Sequence, residues 1–268
     1  MAKNALEFGG SENSSWKKGI ATFKLHPNYK KNGKMKLIME KESWTFRDNL
    51  LPKYPKEVES DQEYFVEIRL DDDGMLDEIQ NIRPSKWMGL KMMAVDMTRP
   101  DREKVEPPAP YSYTANYSGK EVEETAFYIF YKCIDEESDF YGVLFPNRYF
   151  YKFKNDGAGM AMWDGDYGNP KATRLHRVVD HLSMLGAVSE PLAWPEDGNV
   201  LPELLARIKA AGVVVETAGG GKYASISEMM ESKQPVKAPD PTPVPEDEEE
   251  KPSVEDDWDE NEWDEDDF

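Results

Sequence analysis

The chain has 268 residues, with 33 Lys/Arg against 53 Asp/Glu and a formal net charge of −20. No stretch approaches the roughly 20 apolar residues of a membrane span, and the N-terminal MAKNALEFGG lacks the apolar centre of a signal peptide, so a soluble, cytoplasmic protein is expected. Cys133 is the only cysteine, which excludes an intramolecular disulfide and a cysteine-based zinc site.

Residues 1–15 are small and polar and read as a loose arm. Gly19 to Leu25 alternates, with Ile20, Thr22 and Lys24 on one face and Ala21, Phe23 and Leu25 on the other, which predicts a strand. Asn32-Gly33 predicts a hairpin turn leading into a strand over Lys34 to Glu40, with a third over Ser43 to Arg47. Tyr64 to Leu70 alternates as well; Asp71 to Gly74 is a turn, and Met75 to Ile82 returns. Four or five short strands in about 80 residues predict a small barrel or sandwich. Thr98 to Pro110, with four prolines, reads as a connector between residues 1–97 and 111–231. In the second part, strands are expected over Ala126 to Ile134, Ser138 to Phe145 and Arg148 to Phe153. Asn169 and Pro170 open a helix carrying Leu175, Val178, Val179, Leu182 and Leu185, which Gly186 ends. Asn199 to Ala211 is a second helix, and residues 213–226 a closing hairpin around glycines 219–221. The fold class expected is α+β, strand-dominated.

Charge divides unevenly. Residues 1–60 hold 12 basic and 7 acidic side chains. Aromatics stand among these cations: Trp16, Lys17, Lys18, Lys24, Tyr29, Lys30, Lys31, Lys34, Lys36, Trp44, Phe46 and Arg47. Single-stranded nucleic acid calls for this combination, cations along the phosphates and aromatic faces for unpaired bases. The same residues also suit an ordinary β-domain with aromatic core positions and lysine-protected edges.

No motif signals catalysis, a metal or a cofactor. His176 and His181 stand five apart on the first predicted helix and point in different directions. Asp164, Asp166 and Asn169 miss the spacing of a calcium loop. Gly219-Gly220-Gly221-Lys222 lacks the upstream glycine and the Ser/Thr of a phosphate loop. Cys133 lies inside an apolar strand, a poor place for a nucleophile. A non-enzyme is expected.

From Ser232 to Phe268 the chain carries six prolines, 16 acids and 3 lysines. Such a composition cannot offset the entropy of ordering it, and a disordered, solvated tail is expected. Trp258, Trp263 and Phe268 stand among its acids as anchors for another protein's pocket.

A strand-rich body, a Pro-rich linker and an acidic end reading Asp264, Glu265, Asp266, Asp267, Phe268 together resemble the single-stranded DNA-binding proteins of bacteria and tailed phages, the phage type more closely. The resemblance covers about 37 residues at the level of motif. It implies an OB-type barrel in residues 1–97, a cationic aromatic groove for the strand, and a tail that recruits replication or recombination proteins when DNA displaces it; a phage-encoded chain would act in the host cytoplasm. The body is longer than the bacterial proteins, and its two late helices depart from their pattern. The rival expectation is a non-enzymatic structural or chaperone-like protein whose tail binds basic partners or mimics DNA. Which half of the body holds nucleic acid, and whether it self-associates, the sequence leaves open.

Overall fold

The computed structural model describes residues 16–55, 57–97, 107–117, 119–169, 172–221 and 223–232. The N-terminal arm, most of the Pro-rich connector, Pro170, Lys222 and the acidic tail with Trp258, Trp263, Asp264, Glu265, Asp266, Asp267 and Phe268 lie outside them.

Five strands form the first sheet: β1 (Trp16–Leu25), β2 (Lys34–Met39), β3 (Glu42–Arg47), β4 (Glu63–Leu70) and β5 (Leu76–Pro84). Their order is β3-β2-β1-β4-β5, antiparallel throughout. The sheet curls into a half-barrel, bringing β3 towards β5. Strand alternation supplies the core: Phe23, Met35, Leu37, Trp44, Phe46, Tyr64, Val66, Ile68 and Ile82 all turn inward and pack in one cluster. The β1–β2 connection runs over residues 26–33, between the strand ends expected from the sequence. A single helical turn, α1 (Tyr29–Asn32), fills it, and Gly33 closes that turn at φ 63°. Glycine alone tolerates the position, since a Cβ there would stand 2.7 Å from a carboxylate oxygen of Asp48.

The second sheet holds β6 (Lys86–Asp96), β7 (Tyr111–Tyr117), β8 (Lys120–Cys133), β9 (Leu144–Phe150), β13 (Val214–Gly220) and β14 (Ser225–Glu231). It runs β14-β13-β6-β8-β7, with β9 on the other edge of β8. Three short strands, β10 (Phe153–Asn155), β11 (Met160–Trp163) and β12 (Leu192–Ala193), make a small third sheet. The helices α2 (Thr173–Met184) and α3 (Leu201–Ala211) bury Leu175, Val178, Leu182, Leu201, Leu204 and Ile208. Most of these join β6, β8 and β9 side chains in a second core.

Three expectations need correction. β6 lies before the Pro-rich connector but belongs to the second sheet, so the break between sheets falls at Ser85. Residues 138–142 are turns; β9 begins at Leu144. α2 begins at Thr173, with Ala172 rather than Asn169 at its N-cap. The closing hairpin is formed by β13 and β14 as expected, and its glycines serve packing and turning: a Cβ on Gly219 would stand 2.2 Å from the Trp87 indole.

Candidate nucleic-acid interface

The half-barrel sorts the basic and aromatic residues of its sequence onto two faces. Even-numbered positions of β1 and β2 and odd-numbered positions of β3 point outward, away from the core. On that outer face Lys24 sits directly opposite Lys36, and Lys34 directly opposite Arg47. With strands about 4.8 Å apart, the four cations span two strand spacings, about 10 Å. Like charges placed directly across a ladder disfavour the fold, where opposite charges would contribute about 0.2–1 kcal/mol. This arrangement gathers four cationic side chains on one patch of that face.

The β1–β2 loop extends the patch. Tyr29, Lys30, Lys31, Asn32, Gly33, Arg47, Asp48 and Asn49 line a surface hollow of about 620 Å³. Lys30 and Lys31 are exposed on α1. His26 holds the loop's shape by accepting from the Asn28 backbone N–H at its Nδ1, 3.0 Å away. Tyr29 is half-buried; burial first, then the Asp48 carboxylate, raises its phenol pKa.

Other expected site residues stand elsewhere. Trp16 and Lys18 share the outer face of β1 but lie at its far end, where the Arg69 guanidinium sits 5.6 Å from the Trp16 ring. Lys17 points the other way, pairs with Glu42 and lies 5.3 Å from the Trp44 ring centre. Trp44 and Phe46 are not available to stack on bases. Alternation along β3 turns both into the barrel, where Trp44 donates Nε1–H to the Gly74 carbonyl at 3.0 Å and Phe46 meets Phe23 edge-on at 6.2 Å. Both rings are more than nine-tenths buried. Burial of such rings stabilises the barrel by a few kcal/mol, which keeps them inside.

A second aromatic surface escaped the sequence reading. On β8, Phe127, Ile129, Tyr131 and Cys133 turn into the core, so Tyr128 and Phe130 turn out. Tyr111 and Tyr113 of β7 and Arg148 and Phe150 of β9 join them through the ladder register. Tyr111 and Tyr128 stack at 6.0 Å, and Arg148 stands 5.1 Å from the Tyr113 ring and 5.7 Å from that of Phe150. None of these five aromatics belongs to either core. The signal was present in the alternation of FYIFY, once the odd positions of β8 are assigned to the interior; the register then sets Tyr111 and Tyr113 of β7 on the face of Tyr128 and Phe130.

The histidines do other work. His181 is buried against the second sheet, where Tyr131 and Tyr149 share a hydrogen bond of 2.7 Å and Tyr149 reaches His181 Nδ1 at 2.7 Å. Asn147 donates to the Tyr149 hydroxyl at 2.8 Å and accepts from Arg177 at 2.6 Å. Burial and the neighbouring Arg177 lower the His181 pKa to about 4, so the imidazole is neutral near pH 7 and shares its hydrogen bond with the Tyr149 hydroxyl uncharged. Burial also pushes the Tyr149 phenol up to about 12. The network ties α2 to β8 and β9 in the interior. His176 lies instead against the Tyr167 ring, 4.5 Å between centres. Cys133 is fully buried, and burial raises its thiol pKa. Among the described residues no group of three His, Cys, Asp or Glu is placed to hold a metal, and no helix is long and apolar enough to cross a membrane.

Comparison with protein-family models, with curated proteins and with solved structures gives no match for this chain.

Proposed function

We propose that this chain binds single-stranded DNA without strong sequence preference, through the outer face of β1, β2 and β3 and the adjoining α1 loop. The observation that carries the reading is the pairing of Lys24 with Lys36 and of Lys34 with Arg47 on one sheet face. Cations gathered on one sheet face give the phosphates of a polyanion a surface to follow. We read the half-barrel as OB-type: β1 is shared between β2 and β4, β3 approaches β5, and the cations occupy the strand 2–3 face and the first loop, where such barrels hold oligonucleotides. In this reading the acidic tail competes with DNA for the patch, and Trp258, Trp263 and Phe268 engage replication or recombination proteins once released. The test is binding of fluorescent oligo-dT and of a duplex of equal length, each at low and moderate salt. Preference for the single strand, weakening with salt, is expected; equal affinity for both forms, or no binding at low salt, overturns the reading.

A second reading rests on charge. Residues 1–231 carry 30 basic and 37 acidic side chains, and residues 232–268 a further −13. A polyanion of that strength suits basic protein partners, with the body as a structural module. Failure of oligo-dT binding together with capture of a basic protein by the tail alone would favour it.

A further inference from the structure

The outer face of the first sheet meets the second sheet along only part of its length. Ile20, Phe65 and Arg83 make the contact: Ile20 and Phe65 pack into the second core, and the Arg83 guanidinium lies 4.4 Å from the Phe65 ring, with Nη1 3.5 Å from the Ala224 carbonyl. Beside this contact, residues of both sheets line a cleft of about 420 Å³. That size lies within the roughly 300–1,000 Å³ of small-ligand sites. Its walls differ in chemistry. The β8–β9 wall offers Tyr128, Phe130 and Pro146; the barrel wall offers Lys18, Glu67, Gln80 and Asn81; the loop after β3 adds Lys53 and Tyr54 at the mouth.

We propose that single-stranded DNA is gripped a second time in this cleft, with an unstacked base against Tyr128 and Phe130 and phosphates at Lys18 and Lys53. The inference rests on the single-strand reading above and names a site that reading does not use. Four observations carry it. Tyr128 and Phe130 are half-buried yet belong to neither core, so their ring surface serves neither packing cluster. The amide side chains of Gln80 and Asn81 offer donors and acceptors to any base edge. Lys18 and Lys53, both exposed, outnumber the one acid, Glu67, at the cleft. The aromatic row continues from Tyr128 to Tyr111, where a neighbouring base can stack. Lys18 lies six residues from Lys24 on the same face of β1, about 20 Å, so one strand of several nucleotides reaches both grips, within the roughly 4–16 nucleotides an OB barrel occupies.

The test uses the full chain and oligo-dT carrying 5-iododeoxyuridine, irradiated in the complex, with crosslinked peptides mapped by mass spectrometry. Crosslinks at Tyr128 or Phe130 are expected. Affinity should fall about 5- to 150-fold in Phe130→Ala, the range for loss of one base stack. Lys53→Glu, at an exposed position that leaves folding intact, should weaken binding too. Crosslinks confined to residues 24–47, with Lys53→Glu binding like the wild type and Lys24→Glu/Lys36→Glu impaired, would overturn the second grip and leave the first. No oligo-dT binding by the wild type would overturn both.

Discussion

Lys36 faces Lys24 across one ladder and Thr45 across the other, on the outer face of the half-barrel. Replacing Lys24 and Lys36 together by Glu should weaken binding to all oligonucleotides alike. It should also flatten the slope of log affinity against log salt by about 1.4, two phosphate contacts at about 0.7 each for single strands; a salt titration of oligo-dT binding checks this. Trp44 is the opposite case. Trp44→Ala should lower unfolding free energy by about 3–5 kcal/mol, as large aromatic truncations in cores do, read by denaturant titration. The two residues stand eight apart in a sequence rich in both types. Alternation told that they face opposite ways, but not which way was inward; only the partners Phe23, Leu37 and Gly74, brought by other strands, settle that. His181 gives the fold a pH dependence. Its folded pKa of about 4 lies below the ordinary 6.5, so the unfolded chain binds the extra proton. That contribution is complete above pH 6.5 and is lost as pH falls towards 4, by about 3 kcal/mol in total. Unfolding titrations at several pH values between 4 and 7 should show this loss, and His181→Gln should flatten it.

Among the elements, those with an unbroken period were legible and those with a break were not. β1, β2, β4 and β5 lie within a few residues of their expected bounds because each buries alternate side chains against one core. β6 gave no period: Gly89 turns at φ 75°, and a register shift falls between Ala94 and Asp96, so its inward residues do not keep to one parity. The α1 turn was hidden because Asn32-Gly33 is as good a helix end as a hairpin turn. For the candidate site, the cations of β2 and the loop were readable from composition. The cleft was not, since its two walls come from strands some 60 residues apart in sequence and no local pattern joins them. At the β13–β14 hairpin, Gly219→Ala should lower stability by about 1–3 kcal/mol, the cost of overpacking, because the new methyl meets the Trp87 indole and the backbone of Ser225. A thermal melt compared with Gly221→Ala, where a Cβ meets nothing but the backbone stands at φ 79°, separates crowding from turn strain.

For the whole molecule, charge and topology set the terms. One edge of the half-barrel carries Lys24, Lys30, Lys31, Lys34, Lys36 and Arg47, while residues 232–268 hold 16 of the 53 acids. If the tail competes for that edge, deleting residues 232–268 should tighten oligo-dT binding at low salt and flatten its salt dependence, since tethering keeps a competitor at high effective concentration. Removing Phe268 alone, which takes away no acidic side chain, should leave DNA affinity unchanged while weakening partner capture. Unaltered affinity after truncation would sink the competition. Topology bears on how the molecule is made. The barrel is complete in the first 84 residues, and β6 follows after Ser85 alone. One edge of β6 then waits for β13: Trp87 donates to Thr217, a hydrogen bond across 130 residues. At about 5–20 residues per second, a ribosome needs roughly 6–26 seconds to cover that distance. For that interval a strand bearing Met92 and Ala94 hangs from a finished half-barrel with an unpaired edge. Yield in the cell should therefore respond to translation speed and to chaperones that shield strand edges more than to the stability of the finished protein.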